Sequence, residues 1–217
     1  MSGCPETLAI IPARGGSKGV PRKSLVMLGG RPLIAWTIRA ALDCRGISRT
    51  MVLTEDEEIA ETARAYGAEV PFLRPLALAQ DHSDLDDSFR FAMARLEEQG
   101  YRPQCVAHLF PTSPFRPARL MDQLVERLHM GHQSVQTVAA TGPQTYFRIE
   151  ADKVARPCVA CGPELRRSYG IFSGHCAYHA PHGHFAQVVD DPVTLIDIDE
   201  PEDLRRAEAV VRLGLNP

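Results

Sequence analysis

The chain has 217 residues, a formal net charge of −3 and a pI near 6.2, with 44% hydrophobic and 24% charged residues. These values fit one α/β domain with a sizeable core, and they argue against a general attraction to nucleic acid or to an anionic membrane surface. No run approaches the ~18 apolar residues of a membrane span, and the few residues before Leu8 leave no room for an export signal, so a cytoplasmic protein whose six cysteines stay thiols is expected.

In chain order, Leu8–Ile11 is a short apolar run closed by Pro12, the pattern of a strand buried on both faces of a parallel sheet. A Gly-rich loop follows. Residues 31–43 place Leu33, Trp36, Ile38, Ala40 and Ala41 near helical spacing, with Pro32 suited to a first turn. Thr50–Leu53 reads as a second strand, Asp56–Tyr66 as a helix stopped by Gly67, and Asp84–Gln99 as a helix with Leu85, Phe89, Ala92 and Leu96 on one side. Cys105–Phe110 predicts a third strand, followed by a proline-studded loop over 111–117, a helix over 118–130 and a fourth strand at Ser134–Ala140. Residues 141–169 lose the regularity and are expected to leave the main sheet, which Gly170–Tyr178 rejoins as a strand. Thr194–Ile198 predicts a last strand, and 202–213 an amphipathic helix opened by Pro201 and two acids that suit its positive end. This alternation predicts an α/β fold: a three-layer, doubly wound, mainly parallel sheet with ligands at the carboxyl ends of its strands.

The most informative stretch is the loop after the first strand, Ala13-Arg14-Gly15-Gly16-Ser17-Lys18-Gly19-Val20-Pro21-Arg22-Lys23. Its glycines let backbone N–H groups approach phosphate oxygens, and Arg14, Lys18 and Lys23 supply the charge that a triphosphate needs. It matches neither the Walker lysine loop nor the dinucleotide fingerprint. The bland alternative is a solvated basic turn. The acid-apolar-acid run Asp197-Ile198-Asp199 has strand spacing that would turn both carboxylates to one hard cation, and Mg²⁺ uses one or two carboxylates with phosphate oxygens. The alternative there is that one acid caps the next helix and the other faces solvent.

The loop 13–23, Arg74-Pro75, Leu78-Ala79-Gln80-Asp81, Pro111-Thr112-Ser113-Pro114 with Arg116, and Ile196-Asp197-Ile198-Asp199 together resemble the acylneuraminate cytidylyltransferases over nearly the whole chain. The resemblance is densest in the N-terminal half and loosest over 141–180. It implies a Rossmann-like fold of the nucleotide-diphospho-sugar transferase type, in which residues 1–217 form a single domain with a dimerisation and acceptor excursion at 141–180 that reaches a second subunit. It also implies transfer of CMP from CTP to the anomeric hydroxyl of a sialic-type nonulosonic acid, with Mg²⁺ on Asp197 and Asp199. Arg14, Lys18 and Lys23 are expected to be catalytic. Ala13, Gly15, Gly16, Ser17, Arg74, Asp81 and Ser83 are expected to join them around the nucleotide. Phe110, Thr112, Ser113, Arg116 and Ser173 are expected around the acceptor.

The chain departs from the family pattern at Phe110, where a glutamine usually precedes Pro-Thr-Ser, at Ser24, at Thr54-Glu55-Asp56 in place of Ser-Thr-Asp, and at Ser173-Gly174. The acceptor half has therefore drifted more than the nucleotide half. Pseudaminic, legionaminic and neuraminic acids all stay open, as do a Kdo-like sugar, a phosphonate, transfer of another nucleotide, or a CTP-binding protein that has lost its acceptor site. Cys158-Val159-Ala160-Cys161 with His175, Cys176, His179, His182 and His184 suggests half of a zinc site, but only His175 and His179 stand at finger spacing, in a stretch that reads as a strand, where residues four apart are far from each other.

Overall fold

The computed structural model describes residues 5–140, 146–149, 155–158, 166–177 and 181–217. The first strand, β1 (Thr7–Pro12), is buried along its whole length. Successive side chains of a strand point to opposite faces, so Ala9 and Ile11 pack with Ile34, Ile38, Ala60 and Ala63 in one layer, while Leu8 and Ile10 pack with Phe89, Ala92 and Leu96 in the other. After a two-stranded ribbon of β2 (Met27–Leu28) and β3 (Arg31–Pro32) come α1 (Leu33–Asp43), β4 (Arg49–Leu53), α2 (Glu57–Ala65) and α3 (Leu85–Glu98). Asp56 caps α2 by accepting from the Ile59 N–H at 3.0 Å, and Asp84 caps α3 through the Asp86 N–H at 3.0 Å.

The chain continues through β5 (Cys105–His108), α4 (Ala118–His129), β6 (His132–Ala140), β7 (Tyr146–Ile149), β8 (Ala155–Cys158), β9 (Arg166–Cys176), β10 (His182–Val188) and α5 (Pro201–Arg212). The six-stranded sheet has the order β10-β6-β9-β5-β1-β4. Its pairings are parallel except at β9, which runs antiparallel to both β5 and β6. The expected mainly parallel sheet is thus present, with one reversed strand near its middle. No helix among the described residues is long and apolar enough to cross a membrane.

Three expectations are corrected. Thr194–Ile198 is not a strand. The Asp191 carboxylate accepts from the Thr194 N–H at 2.7 Å and the Asp191 carbonyl from the Leu195 N–H at 3.0 Å, so local turn bonds take the donors that a ladder would need. The sixth strand is instead β10, whose polar, histidine-bearing sequence at the edge of the sheet hides its strand character. The reversed strand begins at Arg166, earlier than expected, and carries a register shift opposite Gln136 and Thr137. Strands β7 and β8 form a separate antiparallel ribbon outside the main sheet. The other parts of the predicted excursion, at 141–145, 150–154, 159–165 and 178–180, lie outside the described residues, and Cys161 and His179 with them.

Candidate active site

A cleft of about 530 Å³ opens at the carboxyl end of β1. Pro12, Ala13, Arg14, Ser17, Lys18 and Lys23 form one wall, Phe110, Pro111 and Thr112 another, and Asp199 and Glu200 a third. The glycine loop is pinned beneath it. A Cβ on Gly19 would stand 2.1 Å from the carbonyl oxygen of Asp199, so backbone meets backbone there and only glycine fits. A larger recess of about 760 Å³ lies beside α3, but its rim mixes Asp86 and Glu97 with Arg90 and Arg102 and offers no net positive field to a polyphosphate.

The three predicted cations converge on the cleft, each already paired. Arg14 and Lys18 reach the two oxygens of Asp81 at 2.9 and 3.1 Å, and Lys23 reaches Asp199 at 2.6 Å. Hydrogen bonding and attraction from Lys18, helped by Arg14, hold the Asp81 carboxyl below its usual range. Asp81 and Ser83 line a smaller recess of about 180 Å³ that shares Arg14 and Arg74 with the cleft. The Ser83 hydroxyl donates to the Ala77 carbonyl at 2.8 Å. The Gly15 N–H, predicted to face phosphate, donates to Glu55 at 2.7 Å, while Gly16 is exposed.

The predicted acceptor residues separate into two groups. Phe110 and Thr112 line the cleft. Ser113, Arg116 and Ser173 do not line it. The Ser113 hydroxyl is buried without a hydrogen-bond partner, near Gly170. Arg116 is 5% exposed and spends its donors inside the fold, on the Ile171 carbonyl at 2.7 Å, the Thr37 hydroxyl at 2.9 Å, the Phe110 carbonyl at 2.6 Å and the Ser113 carbonyl. Burial pushes its pKa down to about 9, against the opposing charge of Asp197. Ser173 is half-buried on β9, in register with His108 and Gln136. For Arg116 the donor expected to face the acceptor is instead an internal clamp on the loop.

Of the predicted metal ligands, Asp199 lines the cleft, while Asp197 carries a buried Oδ1 without a hydrogen-bond partner. Ile198 between them is buried against Leu28, Leu33, Phe115 and Ala207, and its N–H donates to the Thr112 carbonyl at 2.7 Å. Among the described residues no cluster of three or more His, Cys, Asp or Glu could hold a metal by itself. An unsatisfied carboxylate oxygen and an exposed one two residues on fit a cation that takes its other ligands from phosphate and water. Glu55 and Glu200 are site residues that the sequence reading did not single out; Glu200 forms a capping box with Asp203 at the start of α5.

The family model described as cytidylyltransferase matches residues 8–157. Among curated proteins, the pseudaminic acid cytidylyltransferase of Campylobacter jejuni is 36% identical over 136 residues, covering 63% of this chain and 58% of that protein. The CMP-N,N'-diacetyllegionaminic acid synthase of Legionella pneumophila is 39% identical over 132 residues, covering 61% of this chain and 57% of that protein. The N-acylneuraminate cytidylyltransferase of Escherichia coli is 39% identical over an alignment of 223 residues, covering 93% of this chain and 51% of that protein. The chain thus spans little more than half the length of these relatives. Its fold matches a CMP:2-keto-3-deoxy-manno-octonic acid synthetase complexed with CTP, with a TM-score of 0.69 at 16% identity over 96% of this chain and 99% of that one. It also matches the 4-diphosphocytidyl-2C-methyl-D-erythritol synthase of Anaerococcus prevotii, with a TM-score of 0.70 at 13% identity over 97% of this chain and 100% of that one. With the family model covering residues 8–157, most of its length, the chain belongs to the cytidylyltransferase family.

Proposed function

We propose that the chain transfers CMP from CTP to the anomeric hydroxyl of a sialic-type nonulosonic acid, releasing pyrophosphate. The observation that carries this reading is the convergence of Arg14, Lys18 and Lys23 on one cleft at the carboxyl end of β1. In the proposed step the acceptor oxygen attacks the α-phosphorus as the bond to pyrophosphate breaks. Arg14, Lys18 and Lys23 neutralise the charge that builds on the leaving group, and electrostatic stabilisation of this kind dominates phosphoryl and nucleotidyl transfer. Asp197 and Asp199 would hold Mg²⁺, which supplies Lewis-acid polarisation of the phosphate oxygens when bound. The acceptor would lie toward Phe110 and Thr112, and the apolar Phe110 ring keeps a Kdo-like acid in the panel of candidates.

The working unit we propose is a homodimer, supported by the ribbon of β7 and β8, which stands outside the main sheet. A cytoplasmic setting is part of the same proposal. The test is pyrophosphate release by the purified protein with CTP and Mg²⁺ across neuraminic, legionaminic, pseudaminic and Kdo acids, with ATP, GTP and UTP as controls. Release with CTP and one nonulosonic acid is expected. Clear CTP binding without release from any acid would retain the nucleotide half of the reading and overturn the acceptor half.

A further inference from the structure

We propose that Glu55 is a positioning residue for the nucleotide, a buried carboxylate that fixes the direction of the Arg74 guanidinium and the seat of the glycine loop together; the inference rests on the cytidylyl transfer proposed above. Glu55 follows the end of β4, next to the buried Thr54. Its Oε2 accepts from Arg74 at 2.5 Å and its Oε1 from the Gly15 N–H at 2.7 Å. The Arg74 and Glu55 side chains are 4% and 9% exposed. A guanidinium this deep is costly unless a carboxylate faces it. Glu55 therefore makes room for a positive group in the wall that the cleft and the smaller recess share.

The rest of Arg74 is held as tightly. Its N–H donates to the Thr54 carbonyl at 2.8 Å and its second terminal nitrogen to the Ser88 hydroxyl at 3.3 Å, while Ser88 passes a hydrogen bond on to the Leu78 carbonyl at 3.1 Å. Of its five N–H groups, the one on Nε is buried without an acceptor. A guanidinium fixed in the wall of the cleft suits an anionic or carbonyl oxygen of the nucleotide. Only glutamate does this job from position 55. Aspartate is a methylene too short to span both donors, and glutamine would turn an amide N–H toward one of them.

The experiment is a double-mutant cycle of Glu55→Gln and Arg74→Ala, read as kcat and KM for CTP by pyrophosphate release and as Kd for CTP by calorimetry. Glu55→Gln is expected to raise KM and Kd for CTP about tenfold, the scale of one charge-assisted hydrogen bond, while kcat changes far less. In the Arg74→Ala background the same substitution should cost much less than in wild type, because only the Gly15 contact then remains for it to disturb. A Glu55→Gln protein with unaltered CTP constants, or losses that simply multiply in the double variant, would overturn the inference. If Glu55→Gln does not fold, Glu55→Asp takes its place: it keeps the charge, loses one of the two bonds, and should give a smaller rise in the same constant. Wild-type protein that binds CTP but releases no pyrophosphate overturns the acceptor reading alone, and the Kd arm still decides for or against Glu55. Wild-type protein that fails to bind CTP overturns both.

Discussion

The Lys23 ammonium stands 2.6 Å from Asp199 Oδ1, tying the loop after β1 to the segment that opens α5, although 176 residues separate the two. A carboxylate paired with a lysine must share or release it to bind a divalent cation. Chelation of divalent ions should therefore abolish pyrophosphate release, and added Mg²⁺ should restore it. Asp199→Asn should lower turnover on the order of 100-fold, and Asp197→Asn by a similar factor, because its buried Oδ1 has no hydrogen-bond partner. Turnover in EDTA equal to that in Mg²⁺ would contradict this assignment.

Asp81 occupies Arg14 and Lys18 at once, and under the proposed reaction the triphosphate would take its place. Removing Lys18, which is largely exposed, should cost little stability but lower turnover by about 100- to 1,000-fold, as losing one preorganised transition-state donor does. Asp81→Asn should act in the opposite direction on binding. With its carboxylate gone, the two cations no longer have to be stripped from a partner, and CTP should bind several-fold more tightly by calorimetry. Weaker binding would show that Asp81 organises the cations rather than competing for them.

How much of this was legible in the sequence follows from how local each signal is. The apolar run of β1, the glycines after it and the spaced cations are contiguous, so the strand, the loop and its positive charge could be read together. Asp197-Ile198-Asp199 was legible as two acids flanking a buried isoleucine, but not as a non-strand, because the turn bonds made by Asp191 carry no periodic signal. Strand β10 was missed because its partner β6 specifies it more than its own sequence does. Glu55 stood out only as a departure from the family triplet. Its partners lie 40 and 19 residues away, which no local pattern records.

Arg116 shows the same limit from the other side. Its partners are mainly backbone carbonyls, of Phe110, Ser113, Gly170 and Ile171, and backbone oxygens leave no trace in a sequence. Because it clamps the loop that carries Phe110 and Thr112 onto β9, Arg116→Ala should behave as a stability variant. Leaving four carbonyls and the facing Asp197 without their cation should cost about 3 kcal/mol or more, measured by urea unfolding, with thermal melting lowered in parallel. A variant that melts normally yet loses only acceptor affinity would return Arg116 to the acceptor site.

The last prediction concerns pH. His108 lies flat on Phe89, with ring centroids 3.7 Å apart, and faces His175 at 5.4 Å. Burial, and then repulsion from His175, lower the His108 pKa from 6.5 to about 3. His129 and His175 are also lowered by burial. Between those two values the unfolded chain binds a proton that the folded one refuses, so stability rises with pH through this window and falls as the solution is acidified from about pH 6.5 toward pH 3. Carboxylates held below their usual range, such as Asp81 and Glu69, add their losses only at the acid end of that window. The histidine contribution can therefore be isolated near pH 5 to 6, above the carboxylate range. His108→Gln, which cannot titrate, should flatten the dependence of melting temperature on pH over that interval relative to wild type. Parallel curves for the two proteins would mean that His108 accepts its proton in the folded state.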